Sequence, residues 1–228
     1  MTMYLYETHA HTSEVSRCGK IKGRDLARFY HHIGFSGLCV TDHFFNGNTW
    51  IDEDLSWAEK VRLLSSGYQI TKEEGDKLGL EVFFGWEYSL SGTDFLTYGL
   101  DEAFLLSHPE LLSLPINDYC DLVHESGGFI VHAHPFREAD YIDMIRLLPR
   151  KVDAVETYNA CRTDFENAAA DWYADYYDLK KMAGSDNHVG PLERLGCMGS
   201  SKPIKSIRDL IRMIQNGQGA LLSLPGLD

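Results

Sequence analysis

Short apolar runs alternate along the chain with stretches of helical apolar periodicity. A strand is predicted over 4–8. Residues 23–33 have helical spacing and stop at Gly34, a residue suited to the left-handed turn that ends a helix. Residues 36–41 form a brief, mostly apolar run, as a parallel strand buried on both faces requires. A polar loop leads into a long predicted helix over about 55–78, with Gly67 a candidate break. The next strand spans 80–84, and two β-like runs around Ser91-Gly92 suit a hairpin insertion within 88–101. Beyond it the pattern predicts a helix over 117–126, a strand over 129–131, a helix over 138–148, a strand over 152–155, a helix over 164–179 and a strand end at 181–184. A helix over 206–215 and a strand at 220–222 complete the pattern. Repeated strand-then-helix units predict an α/β chain with a parallel sheet, open or closed into a barrel. No repeat or linker divides the sequence, so one domain over 1–228 is expected.

Composition narrows the function classes. With 44% hydrophobic and 24% charged residues the chain is a folded globule rather than a disordered segment. Its net charge of -13 is a poor match for long nucleic acids, which demand clustered Lys and Arg. A small anionic ligand stays open, because a bound metal inverts the local field. The five cysteines (Cys18, Cys39, Cys120, Cys161 and Cys197) are odd in number and form no CxxC pair. They read as reduced thiols of a cytoplasmic protein. The start carries no signal-like segment and no run has membrane-spanning length, so no membrane partner is expected.

The candidate chemistry sits where predicted strands end. Five motifs do so: Glu7-Thr8-His9-Ala10-His11, Thr41-Asp42-His43, Gly85-Trp86-Glu87, His132-Ala133-His134-Pro135 and Gly184-Ser185-Asp186-Asn187-His188. In an α/β barrel the carboxyl ends of the strands open onto one face, so five such motifs converge. Imidazole and carboxylate suit Zn, Mn, Fe and similar divalent ions. Residues i and i+2 of a strand share a side, which lets His9 act with His11 and Asp186 with His188. Any one motif has a bland reading as a hydrogen-bonded core residue, but six of the ten histidines lie at these ends. The other four (His31, His32, His108 and His124) read as surface or structural residues. His132 is open between a site contact and a structural histidine. Asp42, Glu156, Asn159 and Glu7 read as partners that orient ligands. The tryptophans and the run 172–177 read mainly as packing residues.

These stretches, with Ala133-His134-Pro135-Phe136 and Val155-Glu156-Thr157-Tyr158-Asn159, resemble the PHP (polymerase and histidinol phosphatase) superfamily over nearly the whole chain. The resemblance implies a distorted seven-stranded (β/α)7 TIM-like barrel with two to three divalent ions (Zn2+, Mn2+ or Fe2+) in its mouth. It would place His9, His11, Glu87 and Asp186 on a first metal, Glu87 and His134 on a second, and His43 and His188 on a third. Three departures stand out. Glu7 precedes HxH where the family often has Asp. Asp94 occupies a position where a His ligand is usual, and would tilt the second metal toward harder ions. The stretch 15–18, where a third-metal ligand is usual, contains Arg17, which cannot ligate while charged.

The activity implied is hydrolysis of a small phosphate monoester by a metal-bridging water. Arg137 is the first candidate to grip the phosphate, with Arg17 and Arg162 next. His43 or His188 would protonate the leaving group where no third metal does so. The rivals are a diesterase or exonuclease acting on nucleotides or short oligonucleotides, a non-catalytic metal-binding module, and an amidohydrolase. The last normally carries a metal-bridging Lys, and none follows a predicted strand here.

Overall fold

The computed structural model describes residues 2–226. The elements in chain order are β1 (Tyr4–Ala10), α1 (Gly23–His32), β2 (Gly37–Val40), α2 (Trp57–Leu78), β3 (Glu81–Leu90), β4 (Thr93–Tyr98), α3 (Glu102–Ser107), α4 (Ile116–Glu125), β5 (Phe129–Ala133), β6 (Ala154–Asn159), α5 (Asp164–Tyr176), β7 (Lys180–Gly184), β8 (Arg194–Ser200), α6 (Ile207–Gln215) and β9 (Ala220–Pro225). All nine strands join one sheet in the order β7-β6-β5-β4-β3-β2-β1-β8-β9.

The sheet curls into a barrel, and closure depends on one short contact. Just beyond β7, Asn187 N–H donates to the His9 carbonyl and His11 N–H donates to the Asn187 carbonyl. The carboxyl end of β1 therefore pairs with the chain leaving β7, while its amino end pairs antiparallel with β8. Seven strands form the wall, as the resemblance implied. The other two, β8 and β9, are an antiparallel hairpin added at the edge of β1. Gly196 on β8 lies so close to the Gly184 carbonyl that a Cβ there would clash.

The expectation of a hairpin insertion within 88–101 is corrected. Its second arm is β4, a wall strand antiparallel to both β3 and β5. The two-residue loop between Leu90 and Thr93 has positive φ at Ser91 and Gly92, the conformation whose twist matches that of the strands it joins. The helix expected over 138–148 is absent. That stretch is irregular and exposes Tyr141 and Met144. The helix expected around Gly67 is unbroken as α2; Gly67 instead admits Thr12 and Asp42 against the helix backbone. Strand β8 and helix α3 carried no recognised sequence pattern.

Alternation along β5 divides the core. Phe129, Val131 and Ala133 join the interior cluster with Leu96, Tyr98 and residues of α6 such as Leu210 and Ile214. Ile130 faces outward into the layer made by Trp86, Phe95 and the helices. Trp57 and Trp86 pack as expected, but Trp50 and Trp172 are exposed, and of the aromatic run on α5 Tyr173 alone is buried.

Candidate metal centre

Burial and hydrogen bonding fix the imidazoles before any ligand arrives. His9 Nδ1 lies 2.9 Å from Glu156 Oε1, and a carboxylate can only accept, so the ring proton sits on Nδ1. His11 Nδ1 lies 2.9 Å from Ser16 Oγ, whose own hydroxyl donates to Asp42 Oδ1 at 2.7 Å. That chain puts the proton of His11 on Nδ1 as well. His188 Nδ1 lies 2.8 Å from the Asp186 carbonyl, another pure acceptor. All three rings are left with a lone pair on Nε2. Glu156 also accepts from His134 N–H and the Asn159 side chain. Glu7 is spent on Thr8, His9 and Ser185 N–H groups and on the Tyr30 hydroxyl, so it buttresses β1 rather than facing the cluster.

Those lone pairs converge. His9 Nε2 and His11 Nε2 are 3.1 Å apart. Two acceptors at that distance repel unless a cation or proton lies between them, so the contact is not an ordinary hydrogen bond. Around them, Glu87 Oε1 is 3.5 Å from His9 Nε2 and 3.1 Å from His134 Nε2. Glu87 Oε2 is 3.5 Å from His11 Nε2 and 2.8 Å from His43 Nδ1, yet has no properly aligned donor. Asp186 Oδ1 is 3.4 Å from His9 Nε2 and 3.5 Å from His11 Nε2. Three overlapping sets of mutually close donor atoms result: His9, His11 and Asp186; His9, Glu87 and His134; His11, His43 and His188. These residues fit divalent cations by donor type, by closeness and by their unsatisfied atoms.

Charge in the cluster is strongly coupled. Burial raises Glu87, but His43 and His9 outweigh it and hold the carboxyl well below its usual range. Asp186 is likewise held low against burial, chiefly by His9 and His11. Burial opposes charge on His9, yet Glu156, Asp186 and Glu87 push it well up. His11 is driven well down by burial and by its neighbours His188 and His43. Cys18, which burial alone would raise, is brought down to about 6 by contacts with His188 and His43.

Most of the expected ligands meet, but three expectations change. Asp94 belongs to none of the three sets; its Oδ2 is 2.8 Å from Arg137 Nη2, so it positions that arginine. Arg17 is exposed and stacks over Trp50 at 5.1 Å, away from the cavity at the cluster. His132 faces away from the cluster: it stacks on Phe95 at 5.0 Å, and neither ring nitrogen has a partner among the described residues. Cys18 is the residue the sequence reading missed. It lies in the stretch 15–18 next to Arg17, and its Sγ is 3.2 Å from His43 Nε2.

The cluster floors a cavity of about 590 Å³. Its wall includes Cys18, Arg137, Tyr141, Cys161 and Arg162, and no lysine. Arg137 and Arg162 each keep a buried Nε without a partner among the described residues.

No protein-family model matches the sequence, and no curated protein matches it. Solved structures do. A two-domain protein from Bacteroides vulgatus, containing a predicted PHP-like metal-dependent phosphoesterase, matches with a TM-score of 0.71 at 14% identity, covering 97% of this chain and 65% of that one. A lesion-specific endonuclease from Pyrococcus furiosus matches with a TM-score of 0.61 at 12% identity, over 97% of this chain and 58% of that one. An amidohydrolase from Chromobacterium violaceum, with bound sulfate, matches with a TM-score of 0.57 at 15% identity, over 81% of this chain and 87% of that one. The chain thus spans about two thirds or less of the first two proteins. Its fold is the PHP fold, a barrel-shaped α/β sheet.

Proposed function

We propose that this chain is a metal-dependent phosphoesterase that hydrolyses a small phosphate monoester. The observation that carries the reading is the convergence of His9, His11, Glu87, His134 and Asp186 beneath a cavity that also holds two arginines with free Nε–H groups. Two to three divalent ions (Zn2+, Mn2+ or Fe2+) would supply positive charge to the phosphoryl oxygens and lower the pKa of a water nucleophile.

The residues themselves do the rest. Glu87 and Asp186 are held as carboxylates, and cations bound beside them would offset their charge where a phosphate enters. Arg137, aimed by Asp94 Oδ2, and Arg162 bind the non-bridging oxygens from the wall. His43 and His188 line the same cavity, and where no third ion is held there a protonated ring of either would donate to the leaving oxygen. Glu156 and the Ser16–Asp42 pair hold His9 and His11 in the tautomer that keeps Nε2 unprotonated. The five cysteines are free thiols, in keeping with a reducing, cytoplasmic setting. No helix among the described residues is long and apolar enough to cross a membrane.

A diesterase reading is favoured by the likeness to the endonuclease fold. The charge of -13 weighs against long nucleic acid but not against a nucleotide or short oligonucleotide. Metal-loaded protein offered p-nitrophenyl phosphate and bis(p-nitrophenyl) phosphate separates the two. Faster release from the monoester is expected, with Glu87→Ala losing both bound metal and turnover. Faster release from the diester would overturn the monoester assignment. Bound metal without hydrolysis of either ester would leave a non-catalytic module.

A further inference from the structure

Cys18 Sγ lies 3.2 Å from His43 Nε2 and lines the same cavity wall as His43 and His188. His188 also contacts the sulfur. His188 has its proton on Nδ1, committed to the Asp186 carbonyl, so its Nε2 carries a lone pair. His43 Nδ1 lies 2.8 Å from Glu87 Oε2 without the alignment of a hydrogen bond, while its Nε2 faces the sulfur. His43 is 8% exposed, so its ring is largely removed from solvent. One sulfur and two imidazole nitrogens therefore gather at the cavity wall.

We propose that Cys18, as thiolate, completes a cation site with His43 and His188 that is chemically distinct from the nitrogen-and-oxygen centre around Glu87 and Asp186. A Cys-His-His ligand set beside an open cavity suits zinc, which takes four nitrogen, sulfur or oxygen ligands. Thiolate is a soft ligand and discriminates against manganese and magnesium, whereas the carboxylate-rich centre accepts harder ions. The cavity then holds cations of two kinds, and the softer one stands where His43 and His188 face the substrate. The inference rests on the cluster being a metal centre, and it adds a ligand that neither the motif pattern nor the three donor sets contain.

Cobalt(II) tests it directly, because thiolate-bound cobalt has an intense near-ultraviolet charge-transfer absorption that histidine and carboxylate sites lack. The full chain, stripped by chelation and dialysed, is titrated with cobalt, and zinc content is measured in parallel. The wild-type protein is expected to develop the band. Cys18→Ser is expected to lose it and to retain one zinc fewer per chain, while Cys161→Ser, altered at the other cavity cysteine, keeps both. Cobalt bound by wild type without the band, or a band that survives Cys18→Ser, overturns the proposal and leaves Cys18 as a hydrogen-bond partner of His43. Failure of wild type to take up either metal would instead overturn the metal-centre reading beneath it.

Discussion

His132 and His134 are separated by one alanine, yet they face opposite ways. Strict alternation along β5 would put them on one side. The left-handed backbone at His134 (φ 27°) breaks the alternation just past the strand and swings that ring back to Glu87. His132 stays on the outward face between Phe95 and Tyr173. Burial, with a smaller contribution from His134, pulls its pKa down to about 3. An unfolded chain takes up this proton below about pH 6.5 and the folded chain does not. The folded state is thus fully favoured above 6.5 and loses up to about 1.4 kcal/mol per pH unit as pH falls from there toward 3. His132→Phe removes that loss. Its melting temperature relative to wild type should rise by roughly 4–8 °C between pH 7 and pH 5, read by thermal melts in both buffers. An identical shift at the two values would show that His132 accepts a proton in place.

Helix α2 shows why a glycine can be misread at the level of an element. Within a long helical pattern Gly67 looks like a break, since glycine costs about 1 kcal/mol against alanine there. The helix runs through it because the Thr12 and Asp42 side chains press against that bare backbone. Thr12 donates its backbone N–H and its hydroxyl to Asp42, and Asp42 accepts from Ser16, which holds His11. The helix therefore braces the support behind one cluster histidine. Gly67→Ala should reverse the usual sign and destabilise the protein by about 1–3 kcal/mol. A lower urea midpoint at unchanged slope would register it. A higher midpoint would mean that α2 has room to spare.

Across the molecule, the cluster draws on strands from both ends of the chain, and barrel closure through Asn187 stands beside His9 and His11. Cations bound there would tie β1, β3, β5 and the segment after β7 together, and would offset the charge of buried Glu87 and Asp186. Binding to the folded state alone stabilises it by about 2.7 kcal/mol at a hundredfold excess over Kd. Chelation should therefore lower the melting temperature by roughly 5–10 °C, and restored metal should recover it. A melting temperature indifferent to chelator would mean that the cluster is held by its own protons and hydrogen bonds.

How much was legible follows from the range of each interaction. Strand-helix alternation and the His, Asp and Glu residues at strand ends are local patterns, so an α/β sheet and most of the donor residues could be read directly, while closure into a barrel was implied by the family resemblance. The exposed Arg17, the Asp94–Arg137 pair and the outward His132 depend on a backbone angle or on partners far along the chain, and periodicity carries neither. The same holds for β4, whose antiparallel course follows from two positive φ angles. Cys18 is the sharpest case. One thiol in a loop has no period and no motif, and only the folded backbone brings its sulfur to His43, 25 residues away. Local sequence determined which side chains stand at the ends of strands; tertiary structure decided which of them meet, because metal-site chemistry depends on ångström distances between segments that only closure of the barrel sets.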